Sequence, residues 1–121
     1  MLNLKDFRKH YKDAVDTESE EIFIAEPGWE DWMSRYDTDT VISIMKIIFK
    51  LSRAKMDINE LRKIAAISRI EFSRMFSIPP RTVDNWNSGV SNPSEYLFFM
   101  IAHEIFINMC TGELWEDQEK I

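Results

Sequence analysis

Ser68-Arg69-Ile70-Glu71-Phe72-Ser73-Arg74-Met75-Phe76-Ser77-Ile78-Pro79-Pro80-Arg81-Thr82-Val83-Asp84-Asn85-Trp86-Asn87-Ser88-Gly89 is the stretch on which the fold turns. Phe72, Met75 and Phe76 repeat at i, i+3 and i+4, which gives the segment before Ser77 a single apolar helical face. Ser68 precedes that face with Glu71 three residues on, the pattern of a reciprocal N-terminal cap. Ser77 to Pro80 breaks the helix, and a proline suits the first turn of the next one because its missing N–H has no partner there. Val83 and Trp86 then share one side of a second helix while Arg81 and Asn85 share the other, and Gly89 closes it. The spacing therefore predicts two short helices joined by a tight turn, apolar between them and polar outside.

Working outward, Asp57 or Asn59 caps a preceding helix whose apolar face is Ile58, Leu61, Ile64 and Ala65. From Thr40 to Arg53 nearly every residue is apolar except Ser43, Lys46, Lys50 and Arg53, which form a single polar stripe. A helix apolar over most of its circumference must be buried on several sides. After the motif, Val90 to Pro93 reads as a loop and Pro93-Ser94-Glu95 starts a long helix to about Thr111, stopped by Gly112. Tyr96 to Ala102 is apolar all round, so either the N-terminal helices or a second copy must cover it.

At the N-terminus, Leu4, Phe7, Tyr11, Ala14 and Val15 predict an amphipathic helix over residues 3 to 15, with Lys5, Lys9 and Lys12 off its apolar face. It is read as packing on the body of the domain, with a DNA-touching arm as the lesser alternative. Residues 16 to 21 read as a poorly structured acidic connection, and Ile22 to Ala25 suit either a strand or a helical turn. Beyond the Pro27-Gly28 break, Trp29, Trp32, Met33 and Tyr36 fall at helical spacing. That stripe is read as core, although two tryptophans so close also suit a partner surface. Residues 1–55 are thus expected to form an N-terminal helical extension, 56–112 the motif domain, and 113–121 an acidic tail.

Composition excludes several function classes. One cysteine, Cys110, forms no internal disulfide, and with only His10 and His103 a structural zinc site is not expected. No convergent nucleophile–base set and no glycine-rich phosphate loop is present, so no enzymatic role and no cofactor are expected. Met1 to Val15 lacks the apolar core of a signal peptide, and no run approaches the roughly 18 apolar residues of a membrane span. A cytoplasmic protein with no membrane contact is the expectation. Net charge is −6, but its distribution is uneven. Residues 53 to 81 hold seven basic residues (Arg53, Lys55, Arg62, Lys63, Arg69, Arg74, Arg81) against three acidic ones, whereas residues 16 to 39 hold nine acidic residues against Arg35. The basic charge sits at the motif, where a local patch can neutralise phosphates in an otherwise acidic chain.

Taken together, Leu61-Arg62, Ile67-Ser68, Phe72, Ser73, Ile78, Arg81-Thr82-Val83, Trp86, Gly89 and Asn92-Pro93 resemble the Cro/lambda-repressor-like family, the XRE-type helix-turn-helix proteins, over about residues 57 to 110. The resemblance implies an all-α, lambda-repressor-like helical core carrying the N-terminal extension and the long apolar C-terminal helix. It implies a sequence-specific double-stranded DNA-binding protein, a small transcriptional regulator or autorepressor working as a homodimer on a palindromic operator. Arg81 would present two N–H donors to guanine O6 and N7, and Asn85, one turn on, would pair with adenine N6 and N7. Thr82 suits a phosphate or a thymine methyl. Pro80 opens the reading helix, Arg69 takes the family's backbone-contacting place, and Ser88, Asn87 and Asn92 surround the exit loop as phosphate contacts.

Three positions depart from the family: Ser77 where it has glycine, Pro79 where it has a Ser or Thr cap, and Asp84 on the reading helix. Proteins resembling this family also include antitoxins and phage-type anti-CRISPR inhibitors. An alternative expectation is therefore a protein-binding module on the same scaffold, docking through the acidic and aromatic N-terminal region.

Overall fold

A computed structural model describes residues 2–112 and is all-helical over them. The elements are α1 (Leu4–Val15), α2 (Glu20–Ala25), a 3-10 turn (Asp31–Arg35), α3 (Thr38–Ser52), α4 (Ile58–Ile64), α5 (Arg69–Phe76), α6 (Pro80–Ser88) and α7 (Glu95–Cys110). The acidic tail expected at 113–121 lies outside the described residues. No described helix is long and apolar enough to cross a membrane.

Local chemistry sets where most helices start. Asn3, Ser19, Asp37, Asp57, Ser68 and Ser94 each accept a hydrogen bond from a first-turn N–H of α1, α2, α3, α4, α5 and α7 respectively. Only α6 among the described α-helices has no side-chain cap. Pro80 has no N–H to satisfy, and the Thr82 and Val83 N–H groups both donate to the Pro79 carbonyl, so the Pro79-Pro80 start closes that turn by itself.

The core lies among α1, α3 and α7. Phe7 is fully buried, its ring 4.9 Å from Phe106 and 5.8 Å from Tyr11. Tyr11 in turn meets Phe98 and Phe99 edge-on at 5.9 and 5.5 Å. Ile44, Met45, Ile48 and Leu51 fill the α3 side. The apolar surface of α7 is therefore covered from within one chain, chiefly by α1 and α3, which leaves only Tyr96 and Met100 as exposed large apolar residues on it. Of the two alternatives that surface allowed, the N-terminal helices are the ones realised, and α7 joins them in one core with the motif.

Two local expectations are corrected and one open alternative is settled. Residues 16–21 are not wholly irregular, because Ser19 caps α2 and Glu20 and Glu21 sit where the helix dipole favours anions. Ile22 to Ala25 is accordingly helix, with Phe23 buried 5.8 Å from the Phe49 ring and Ile22 outside. The aromatic stripe is also broken: Trp32 and Met33 are buried, but Trp29 is 62% exposed. Glu30 is extended (φ −115°, ψ 158°), so no helical register reaches back to Trp29.

Two long-range ties hold the segments that lead into the motif. The Tyr11 hydroxyl donates to the carbonyls of Leu51 (3.3 Å) and Lys55. That clamp steadies Lys55 in the left-handed region at φ 54°, a costly place for a side chain, and burial pushes the Tyr11 phenol above its ordinary range. The Arg53 guanidinium lies 4.0 Å over the Phe49 ring and donates to the carbonyls of Ala14 and Thr17. Arg53 thus serves the fold, although composition places it in the basic patch.

Glu30 makes the third tie. Its Oε1 stands 2.6 Å from Nε2 of the buried His10 and accepts from Trp32 Nε1 at 2.9 Å, while its Oε2 faces Lys9 Nζ at 3.3 Å. Burial pulls this carboxyl upward, but the bonds from Trp32, His10 and Lys9 together hold it below the usual carboxylate range.

Candidate nucleic-acid interface

The three helices of the motif are pinned by side chains that the spacing alone could only nominate. Asp57 Oδ1 accepts from the N–H groups of Asn59 and Glu60, and Ile58 and Leu61 are buried. Asn59 Nδ2 donates to the Trp86 carbonyl at 2.9 Å, tying α4 to α6. Arg62 Nη1 donates to the Ile67 carbonyl at 3.0 Å across the α4–α5 turn, where Ala66 is left-handed at φ 58°. Ser68 Oγ and the Glu71 carboxylate complete the reciprocal cap of α5.

Between α5 and α6, Phe72 is buried against Phe76 (5.0 Å between centroids) and Trp86 (6.5 Å), with Val83 buried beside them. Met75, expected in this seam, is instead 44% exposed. Phe76 lies about 40° from Phe72 on one side and Met75 about 60° on the other, so the seam that covers Phe72 and Phe76 leaves Met75 on its outer flank. The Ser73 hydroxyl donates to the Ile78 carbonyl at 2.6 Å and closes the turn.

Ser77 occupies the left-handed region at φ 52°, ψ 38°. A side chain there costs about 1–2 kcal/mol, a strain that glycine would relieve at the expense of its own larger unfolded-state entropy. Ser77→Gly is therefore expected to stabilise the protein by up to about 1 kcal/mol, a rise of a few degrees in Tm. A thermal melt with a lowered Tm would contradict this account of the turn.

The outer face of this unit carries the residues named from sequence. Arg81 and Pro80 are exposed at the start of α6, and Thr82 and Asn85 are half-buried one face round. Arg81 and Asn85 are four residues apart, about 6 Å along the helix axis and close to two base-pair steps of roughly 3.4 Å. Ser88 and Asn92 are exposed around the exit, where Ser88 Oγ already donates to the Asn85 carbonyl at 3.3 Å. Gly89 takes φ 80°, as a left-handed closing residue must.

The structure places Arg69 at the edge of the same face but facing Asp84, with Nη1 3.5 Å from Oδ1. Both side chains are more than half exposed, so the pair is worth only about 0–1 kcal/mol and a phosphate could displace it. The pair also softens the repulsion that Asp84 would otherwise offer to a phosphate. Lys63 is similarly engaged with Glu60 at 3.6 Å. Of the seven basic residues between 53 and 81, the exposed ones with no carboxylate or carbonyl partner among the described residues are Lys55, Arg74 and Arg81. The chain matches no protein-family model, no curated protein and no solved structure.

Proposed function

We propose that the chain is a sequence-specific double-stranded DNA-binding protein that lays α6 in the major groove. The observation that carries this reading is the division of α6 into two faces. Val83 and Trp86 are buried against α5, while Arg81 projects into solvent with Asn85 one turn behind it. An Arg and an Asn so spaced match the donor and acceptor patterns of guanine and adenine edges. Selection from a random duplex pool is expected to yield a discrete site, bound at least about a thousandfold more tightly than scrambled DNA. Recovery of no enriched sequence would contradict the reading.

Two copies on a palindrome, with half-sites roughly 34 Å apart, remain the form proposed for a regulator or autorepressor. On α7 its apolar basis has shrunk to Tyr96 and Met100, since the rest of that surface is buried within the chain.

A second reading, protein binding, is favoured by one specific feature. Trp29 is 62% exposed and Ile22 59% exposed, within a segment where Glu21, Glu26 and Asp31 are also exposed. An exposed tryptophan in an exposed acidic segment fits a basic protein with an apolar cleft. Trp29→Ala is expected to leave the Tm within about two degrees, because surface changes rarely exceed about 0.5 kcal/mol. A drop of several degrees would show instead that Trp29 belongs to the fold.

A further inference from the structure

Lys5, Arg8, Lys9 and Lys12 step along α1 by three, one and three residues, on the side away from the buried Phe7, His10, Tyr11 and Ala14. With Leu4 of the same helix they line an open groove of about 770 Å³ whose other wall is Glu95, Tyr96 and Phe99 of α7. Glu95 Oε1 sits 2.9 Å from both Arg8 Nη2 and Lys12 Nζ, and the Phe99 ring lies 5.4 Å from the Arg8 guanidinium carbon and 5.6 Å from the Lys12 ammonium nitrogen. One carboxylate thus fixes two cations side by side and leaves an excess of positive charge. Lys12 first and then Arg8 hold that carboxyl below its usual range. Lys9 meets Glu30 at 3.3 Å, whereas Lys5 meets no carboxylate among the described residues. Across the groove Tyr96, 69% exposed, adds a phenolic donor.

The geometry points to this groove as a second surface for DNA, taking the phosphodiester backbone of the duplex whose bases α6 reads; it rests on the DNA-binding reading above. Two observations favour this occupant. The motif itself retains only Lys55, Arg74 and Arg81 as exposed unpartnered cations, which is thin for a chain of net charge −6 facing a polyanion. The groove also adjoins the motif through the chain, because Glu95 follows Gly89 by six residues, at most about 20 Å of extended chain. Adding the nine residues of α6, about 13 Å, keeps Glu95, and with it the Arg8 and Lys12 end of the stripe, within roughly one duplex turn of Arg81.

The test is fluorescence anisotropy across a salt titration, using fluorescein-labelled 30-base-pair duplexes of the selected and a scrambled sequence. Lys5→Gln/Lys12→Gln is expected to reduce the slope of log K against log salt on both duplexes by about 1.8, at about 0.9 for each phosphate no longer neutralised. Lys5→Arg/Lys12→Arg should keep the wild-type slope. Glu95→Gln, which frees Arg8 and Lys12, should tighten binding several-fold at low salt, a gain that a merely structural Glu95 would not produce. An unchanged slope in the glutamine variant, with preference for the selected site lost in Arg81→Ala/Asn85→Ala, overturns the groove and leaves the reading helix standing. A reduced slope in the glutamine variant, with site preference intact in Arg81→Ala/Asn85→Ala, supports the groove and removes α6 as the reader. Absence of binding to either duplex by the wild type overturns both.

Discussion

Arg81→Ala is expected to lower affinity for the selected site by about 1–3 kcal/mol, roughly 5- to 150-fold, because one bidentate guanine pair is lost. Asn85→Ala should cost a similar amount at the neighbouring base. The two side chains do not bond to one another, so the double variant should approach the sum and bring the selected site close to scrambled DNA. Its affinity for scrambled DNA should fall only by the share of one phosphate charge. The motif's interior is untouched by either change, since Phe72, Val83 and Trp86 form the seam and Arg81 lies outside it. Competition titrations at one salt concentration read both affinities. A preserved preference in the double variant would mean that another surface reads the sequence.

Phe7→Ala is the second large effect. Phe7 is completely buried and joins Tyr11, His103 and Phe106 at the meeting of α1 and α7. Removing such a ring costs about 3–5 kcal/mol through lost burial and the cavity left behind. Against a total of about 5–15 kcal/mol for an ordinary domain, that loss should leave the protein partly unfolded or barely stable. Urea unfolding of the variant distinguishes two views of the N-terminal helix. A loss of about 1 kcal/mol or less would make α1 an appendage that the motif does not need. The larger loss would make α1 a component of the core on which the motif is mounted.

Much of the fold was legible where a signal is local. The Ser68–Glu71 cap, the Pro79-Pro80 start, the Gly89 stop and the periodicity of α1 each act within one or two helical turns, and each is found in the structure. α2 was harder because six residues carry too little periodicity to separate a strand from a helix. Its one usable sign was Ser19 followed by Glu20 and Glu21. Trp29 and Met75 mislead for a related reason: spacing presumes one continuous helix with its face aimed inward. Glu30 breaks the first helix, and Met75 sits on the flank of α5 away from Phe76, outside the seam.

The candidate site was legible in its residue types and less so in its electrostatics. Arg81, Pro80, Thr82, Asn85, Ser88 and Asn92 do gather on and just beyond α6, but four of the seven cations nearby are already engaged. Arg53 and Arg62 bond backbone carbonyls, Lys63 meets Glu60 and Arg69 meets Asp84. Those partners lie from three to thirty-nine residues away, and the distant ones follow only from the fold. The same holds for Glu95, which gathers Arg8 and Lys12 from the other end of the chain.

The most direct measurement is protection of guanine N7 from dimethyl sulfate in the selected duplex, which reports occupancy of the major groove atom by atom. Wild-type protein is expected to protect one guanine N7 in the site, and Arg81→Ala at saturating concentration should leave that guanine reactive. Equal reactivity with and without wild-type protein bound, or protection that survives Arg81→Ala, would contradict the placement of α6 in the major groove.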